Sequence, residues 1–136
     1  MKASEYSDTT RLFESHELDP EMFRHNDHVR AAFEMLRTYD FVEASARYAN
    51  NIKALAEKAG MPEKFNVTIT YVFMSLIAER MSAKEFCDYE TFIAANADLK
   101  SKDLLANWYS SDRLNSKLAR TVFLMPDVET RRAAVT

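Results

Sequence analysis

A single glycine, Gly60, serves a chain of 136 residues. Average usage near 7% would supply about nine. An all-β domain needs residues of positive or fixed φ at most of its turns, and three prolines do not make up the deficit. The same scarcity excludes glycine-dependent phosphate cradles, because neither GxGxxG nor GxxxxGK[ST] can be written with one glycine. Doubly wound nicotinamide-binding folds and P-loop nucleotide hydrolases fall with them. The expected fold class is all-α.

A chain of this length makes about one domain and buries roughly two-thirds of its unfolded surface. An apolar fraction of 47% is enough for one core. The formal net charge is −3, with Lys and Arg scattered among acids, so nucleic acid is not an expected partner. The one local basic pair is Arg131-Arg132. Cys87 stands alone, which excludes an intramolecular disulfide and a multi-cysteine metal knot. The first 19 residues hold no apolar signal-like run. The longest apolar-rich stretch, 68–78, is too short and too polar to span a bilayer. No membrane contact and a cytoplasmic location are the expectations.

Periodicity divides the chain into a loose arm over 1–18, tied down by Leu12 and Phe13, a helical domain over 19–127, and a frayed tail over 128–136. Within the domain, the expectation is a single helical bundle of three long helices plus about three short C-terminal ones. The first long helix covers 26–39, with Val29, Ala32, Phe33 and Leu36 as its buried stripe and Asn26 or Asp27 as its cap. Asp40, with Glu43 three residues on, opens a second helix ending near Ala59, where Gly60 supplies the positive-φ stop. A third, over 66–81, is apolar around most of its circumference, which marks it as the central helix of the bundle. Its β-branched start, Val67 to Thr70, also suits a strand, but no partner strands are evident. Asp88, Ser101 and Ser116 then cap short helices, the last burying Leu118, Ala119, Val122 and Phe123 before Pro126.

The segment with most chemical content is FRHNDHV, where His25 and His28 lie three residues apart at the start of the first long helix. On a helix that spacing puts both rings on one face. There they offer two imidazoles to a divalent transition metal such as Zn²⁺, Fe²⁺ or Cu²⁺. His28 falls in the first turn, where the positive helix end disfavours imidazolium, and a neutral ring is the form that accepts a proton or binds metal. Solvated first-turn histidines paired with Asp27 are the bland alternative. A closed metal site needs further ligands; His16, Asp27, Glu34, Asn66 and Glu79 are the available residues. Asn66, Thr70 and Tyr71 form a polar beginning to an apolar helix. Asn66 and Thr70 either serve their own backbone or face the histidines across a polar pocket that binds substrate.

Three stretches, FRHNDHVRAAFEML, FNVTITYVFMSLIAERM and LLANWYSSDRLNSKLARTVFLMPD, resemble a bacterial family of small uncharacterised helical proteins. Its pattern is F-x-H-x-x-H-V, an aromatic-His-x-T-x-T stretch, and Y-S-x-x-x-L-x-S-x-x-A-R-x-x-F-x-x-P-D. The matching positions are His25, His28, Thr68, Thr70, Tyr109, Ser110, Arg120, Pro126 and Asp127. Asn66 stands where the family pattern has its third histidine, so the resemblance implies a weakened metal site. It brings a fold and a site expectation and no reaction.

Two functional readings follow. In the first, His25 and His28 are catalytic, His28 as general base, and Asn66, Thr70 and Tyr71 bind a small-molecule substrate; the metal variant places the ion on His25 and His28. In the second, the chain is a non-catalytic interaction module, binding a partner or a second copy through its aromatic-rich helices.

Overall fold

Side-chain caps set nearly every helix start. Ser7, Asp40, Asn66, Asp88, Ser110 and Ser116 each accept a hydrogen bond from the backbone N–H three residues ahead, a device worth about 1 kcal/mol apiece. In the computed structural model, which describes residues 6–128, these caps open α1 (Asp8–Glu14), α3 (Phe41–Lys58), α4 (Val67–Ala83), α5 (Tyr89–Ala95), α6 (Ser111–Leu114) and α7 (Lys117–Thr121). The remaining helix, α2 (His25–Thr38), starts one residue earlier than expected. Neither Asn26 nor Asp27 is its N-cap; Arg24 holds that place, and the Asp27 carboxylate reaches back to accept the Arg24 N–H at 2.9 Å. Short 3₁₀ turns at Pro20–Met22, Pro62–Lys64, Ala97–Lys100 and Leu104–Asn107 join the helices. The described residues contain no β-strand, so the all-α expectation holds and the strand alternative over 67–70 does not.

Two positive-φ residues stop helices. Gly60 has φ +75° after α3, as the sequence suggested. His16 takes φ 68° after α1, and the next amide, Glu17 N–H, bonds back to Leu12 O. The third histidine of the chain therefore serves as a helix terminator.

The segment before residue 18 is more than a loose arm. From Ser7 it forms α1, which packs on α2 and α3. Phe13, Tyr6 and Leu18 are buried, while Leu12 points outward. Ser7 anchors this segment by donating from both its backbone N–H and its hydroxyl to the buried Glu34 carboxylate, at 2.9 and 3.1 Å. The first five residues of the expected arm, and residues 129–136 of the expected tail with Arg131-Arg132, lie outside the described residues.

Helix α2, not α4, packs on the most other helices. It contacts α1, α3, α4, α5 and the turn at 97–100. Val29, Ala31, Ala32, Phe33 and Met35 are all buried, which is a wider face than one stripe. α4 packs on α2, α3 and α7, and part of its apolar circumference (Val72, Leu76) lines a surface groove instead of the core.

The C-terminal region departs furthest from expectation. α6 was not foreseen, and α7 stops at Thr121, leaving Leu118, Val122 and Phe123 exposed and only Ala119 buried. The cause is a set of hydrogen bonds that pulls residues 122–128 out of the helix. The Thr68 hydroxyl, fully buried, donates to Val122 O at 2.7 Å and accepts from Leu124 N–H at 3.0 Å. The Tyr109 hydroxyl donates to Leu124 O and Arg113 Nε to Met125 O, both at 2.7 Å. The Asp127 carboxylate accepts from Ser110 N–H and Oγ.

Thr68→Val keeps the shape of the side chain and strands a part-buried carbonyl and a buried amide. The expected cost is about 1–3 kcal/mol in urea denaturation. Thr68→Ser, which keeps the hydroxyl, loses roughly 1 kcal/mol through its missing methyl.

Candidate functional site

His25 is the first residue of α2 and His28 closes its first turn, so both rings leave the helix on the same side. Their centroids lie 6.4 Å apart. Phe23, just before the helix, packs on the His28 ring at 4.3 Å and on Phe13 of α1 at 4.6 Å, which fixes the entry of the chain into α2. From α4, residues 66, 69, 70 and 73 follow the spacing of one helical face, and the side chains of Asn66, Ile69, Thr70 and Phe73 all reach the same hollow. α3 supplies Tyr48 and Ile52, and Lys64 stands on the turn before α4. Together with His25 and His28 these residues line a cavity of about 240 Å³, partly open to solvent.

The polar groups of this cavity differ in how committed they are. His25 Nε2 lies 3.1 Å from Leu99 O; a carbonyl only accepts, so that nitrogen carries the proton. The Tyr48 hydroxyl lies 3.4 Å from His28 Nδ1. Burial pushes the Tyr48 pKa above the usual tyrosine range, so the phenol stays protonated. Asn66 is spent on structure: its carbonyl oxygen caps α4 at Ile69 N–H, and its amide donates to Leu114 O, both at 2.8 Å. Thr68, its near neighbour, is spent on the C-terminal segment. No hydrogen bond engages the Thr70 hydroxyl among the described residues. Tyr71, one residue on and about 100° around the helix, is half-buried and lies outside the cavity lining.

His28 is half-buried, and the desolvation of its ring lowers its pKa from 6.5 to about 4. The neighbouring His25 charge adds to the fall, and Asp27 opposes it. At neutral pH the His28 ring is therefore uncharged. The helix-dipole argument pointed the same way; loss of water around the ring is the larger cause.

Among the described residues no group of three or more His, Cys, Asp or Glu side chains is placed to hold a metal. The further ligands considered for His25 and His28 are engaged or distant. Asp27 holds the Arg24 amide. Glu34 holds Ser7 and Arg30. His16 ends α1. Glu79 lies on the groove beside Trp108.

Sequence reasoning placed His25, His28, Asn66 and Thr70 around one hollow, and the structure brings those four together. It missed Tyr48, Ile52 and Lys64. Nothing local to Tyr48, 20 positions from His28, signals the approach. A second, larger cavity of about 490 Å³ adjoins the first. His25, Ile69 and Phe73 form the shared wall, and Leu104, Leu105 and Leu114 line its apolar far side.

No family model, curated protein or solved structure matches the chain.

Because the unfolded His28 titrates near 6.5 and the folded one near 4, the unfolded state binds more protons between those values. Stability therefore rises with pH across that window and is flat above it, by up to about 3 kcal/mol. Urea melts from pH 7 down to pH 4 are expected to show this loss. The His28→Gln variant should lose less over the same range, and the His28 ring signals should titrate with a midpoint near pH 4.

Proposed function

We propose that the chain is a single-domain helical bundle, three long helices with short C-terminal ones, that binds a small molecule in the cavity between α2, α3 and α4. One observation carries the reading. Two imidazoles, a buried phenol and an uncommitted threonine hydroxyl converge on a partly enclosed hollow with apolar walls. That is the usual make-up of a small-molecule site: apolar surface for affinity, a few fixed polar groups for orientation. In this reading Thr70 and His28 hydrogen-bond the ligand, Phe73, Ile69 and Ile52 pack on it, and His25 orients it from the wall between the cavities. Asn66 acts only by fixing the start of α4, and Tyr71 takes no part.

The chemical step open to such a site is proton transfer to neutral His28. Its low pKa makes it a weaker base than free imidazole, since proton transfer is most effective when the pKa lies near the working pH. Binding is therefore the primary role and general-base catalysis the secondary one. A transition metal on His25 and His28 alone leaves most coordination positions to water, and the missing third ligand makes this the weakest version. The same reading has the protein free in the cytoplasm, without nucleic-acid or membrane partners. No helix among the described residues is long and apolar enough to cross a membrane.

A second reading rests on a different observation. Leu118, Val122, Phe123 and Met125 are exposed together near the end of the described chain, as expected of an interaction or self-association module. Light scattering that gives twice the monomer mass, lost in Phe123→Ser, would favour it.

A fragment screen followed by protein NMR tests the first reading. Hits are expected to shift the His28 ring and Thr70 methyl signals, and to weaken at least about fivefold in Thr70→Val with the melting temperature little changed. Hits scattered over the surface, with no convergence on these signals, would overturn it.

A further inference from the structure

The charge around the smaller cavity is one-sided. Lys64 is the one lysine or arginine on its wall, and no carboxylate lines it. The Lys64 ammonium has no hydrogen-bond or ion-pair partner among the described residues. Lys64 ends the 3₁₀ turn at Pro62–Lys64, which feeds directly into the Asn66 cap of α4. The buried Thr70 side chain, its hydroxyl also without a hydrogen-bond partner among the described residues, lines the same cavity. An ammonium and a hydroxyl donor in the lining of one largely apolar hollow suit an anion with at least two acceptor oxygens.

The apolar part of such a ligand has somewhere to go. The cavity of about 490 Å³ begins at the wall formed by His25 and Phe73 and is floored by Leu104, Leu105 and Leu114. The larger cavity, about 490 Å³, already falls within the roughly 300–1,000 Å³ of ordinary small-molecule sites, and the smaller one adds about 240 Å³ beside it. Asn66 ties the two together, since its amide donates to Leu114 O while its side-chain oxygen caps α4.

We propose that the two cavities take a single anionic amphiphile, a short- to medium-chain monocarboxylate. Its carboxylate lies at Lys64 and Thr70, and its apolar body passes His25 and Phe73 to lie against Leu104, Leu105 and Leu114. This deepens the binding reading and rests on it.

Isothermal titration of the full chain with butanoate, hexanoate and octanoate, and with octanol and octylammonium, tests the proposal. Affinity is expected to rise about threefold to fourfold per methylene along the acid series. Octanoate should bind more tightly than octylammonium. Lys64→Met, a change at an exposed position, should weaken octanoate about fivefold to tenfold and leave octanol unchanged. Leu105→Trp should remove the gain from butanoate to octanoate. Equal binding of octanoate and octylammonium, a flat acid series, or an octanoate affinity untouched by Lys64→Met would each overturn the proposal. If the acids fail while neutral fragments still converge on His28 and Thr70, the ligand class is wrong and the binding site stands. If both fail, the site itself is wrong.

Discussion

Burying α2 on most of its circumference is the constraint from which the rest of the structure follows. A helix packed against four others takes its polar residues into the interior with it, and each must be satisfied or discharged. Glu34 is satisfied: Ser7 donates to one oxygen from two groups, and Arg30 Nε donates to the other at 2.9 Å. Arg30 also reaches Glu90 of α5 at 3.0 Å, so the solution for one buried carboxylate ties α1 and α5 to the same helix. His28 is discharged: loss of solvent keeps its ring neutral, and Tyr48 comes up beside it. The candidate site is in this sense a by-product of where α2 has to lie.

The polar residues around the helix starts of α2, α4 and α6 separate physically into two groups. His25, His28 and Thr70 face the cavity. Thr68, Tyr109, Ser110 and Asp127 make the hydrogen bonds that hold residues 122–128 against the rest of the chain. Arg120 contributes a longer contact to Glu63 O, at 3.4 Å. The second group acts on the site only indirectly. With Thr68 and Asn66 two residues apart at the start of α4, one bonded to Val122 and the other to Leu114, that helix start holds both sides of the 104–128 region in place. This is how the larger cavity keeps its far wall.

Most features that depend on neighbouring residues were legible in the sequence, though not the Arg24 start of α2 or Ser101, which ends the turn at 97–100 instead of capping a helix; those that depend on distant residues were not. Asp40, Asn66, Asp88 and Ser116 cap because their oxygens reach the amide three residues ahead, which the sequence itself displays. The pairing of His25 with His28 is likewise local. The apolarity of α4 was visible, but its rank in the packing was not, because a groove and a core look alike in composition. α7 was read as longer than it is because Leu118, Val122 and Phe123 keep helical spacing. Its early end depends on the Thr68 hydroxyl, more than fifty positions away. Leu12 and Phe13 differ by one position, and only the placement of α1 against α2 decides which of them is buried.

The cavity joins two properties that work against each other. Removing water from His28 keeps the ring neutral and available to a ligand, and the same removal lowers its basicity by more than two pKa units. A site built mainly for proton abstraction would place a carboxylate on the ring to bring the pKa back toward neutrality. Here the group within reach of Nδ1 is a buried phenol, which carries no charge at neutral pH, and Asp27, the nearest acid in sequence, is occupied with the Arg24 amide. The Asp27 charge pulls the other way but still leaves the ring near 4. An anion brought in by the ligand would raise the basicity of the ring, by favouring imidazolium in the place of the missing carboxylate. In the proposed reading, binding would then precede any proton transfer, and the charge of the ligand would set whether His28 could act as a base.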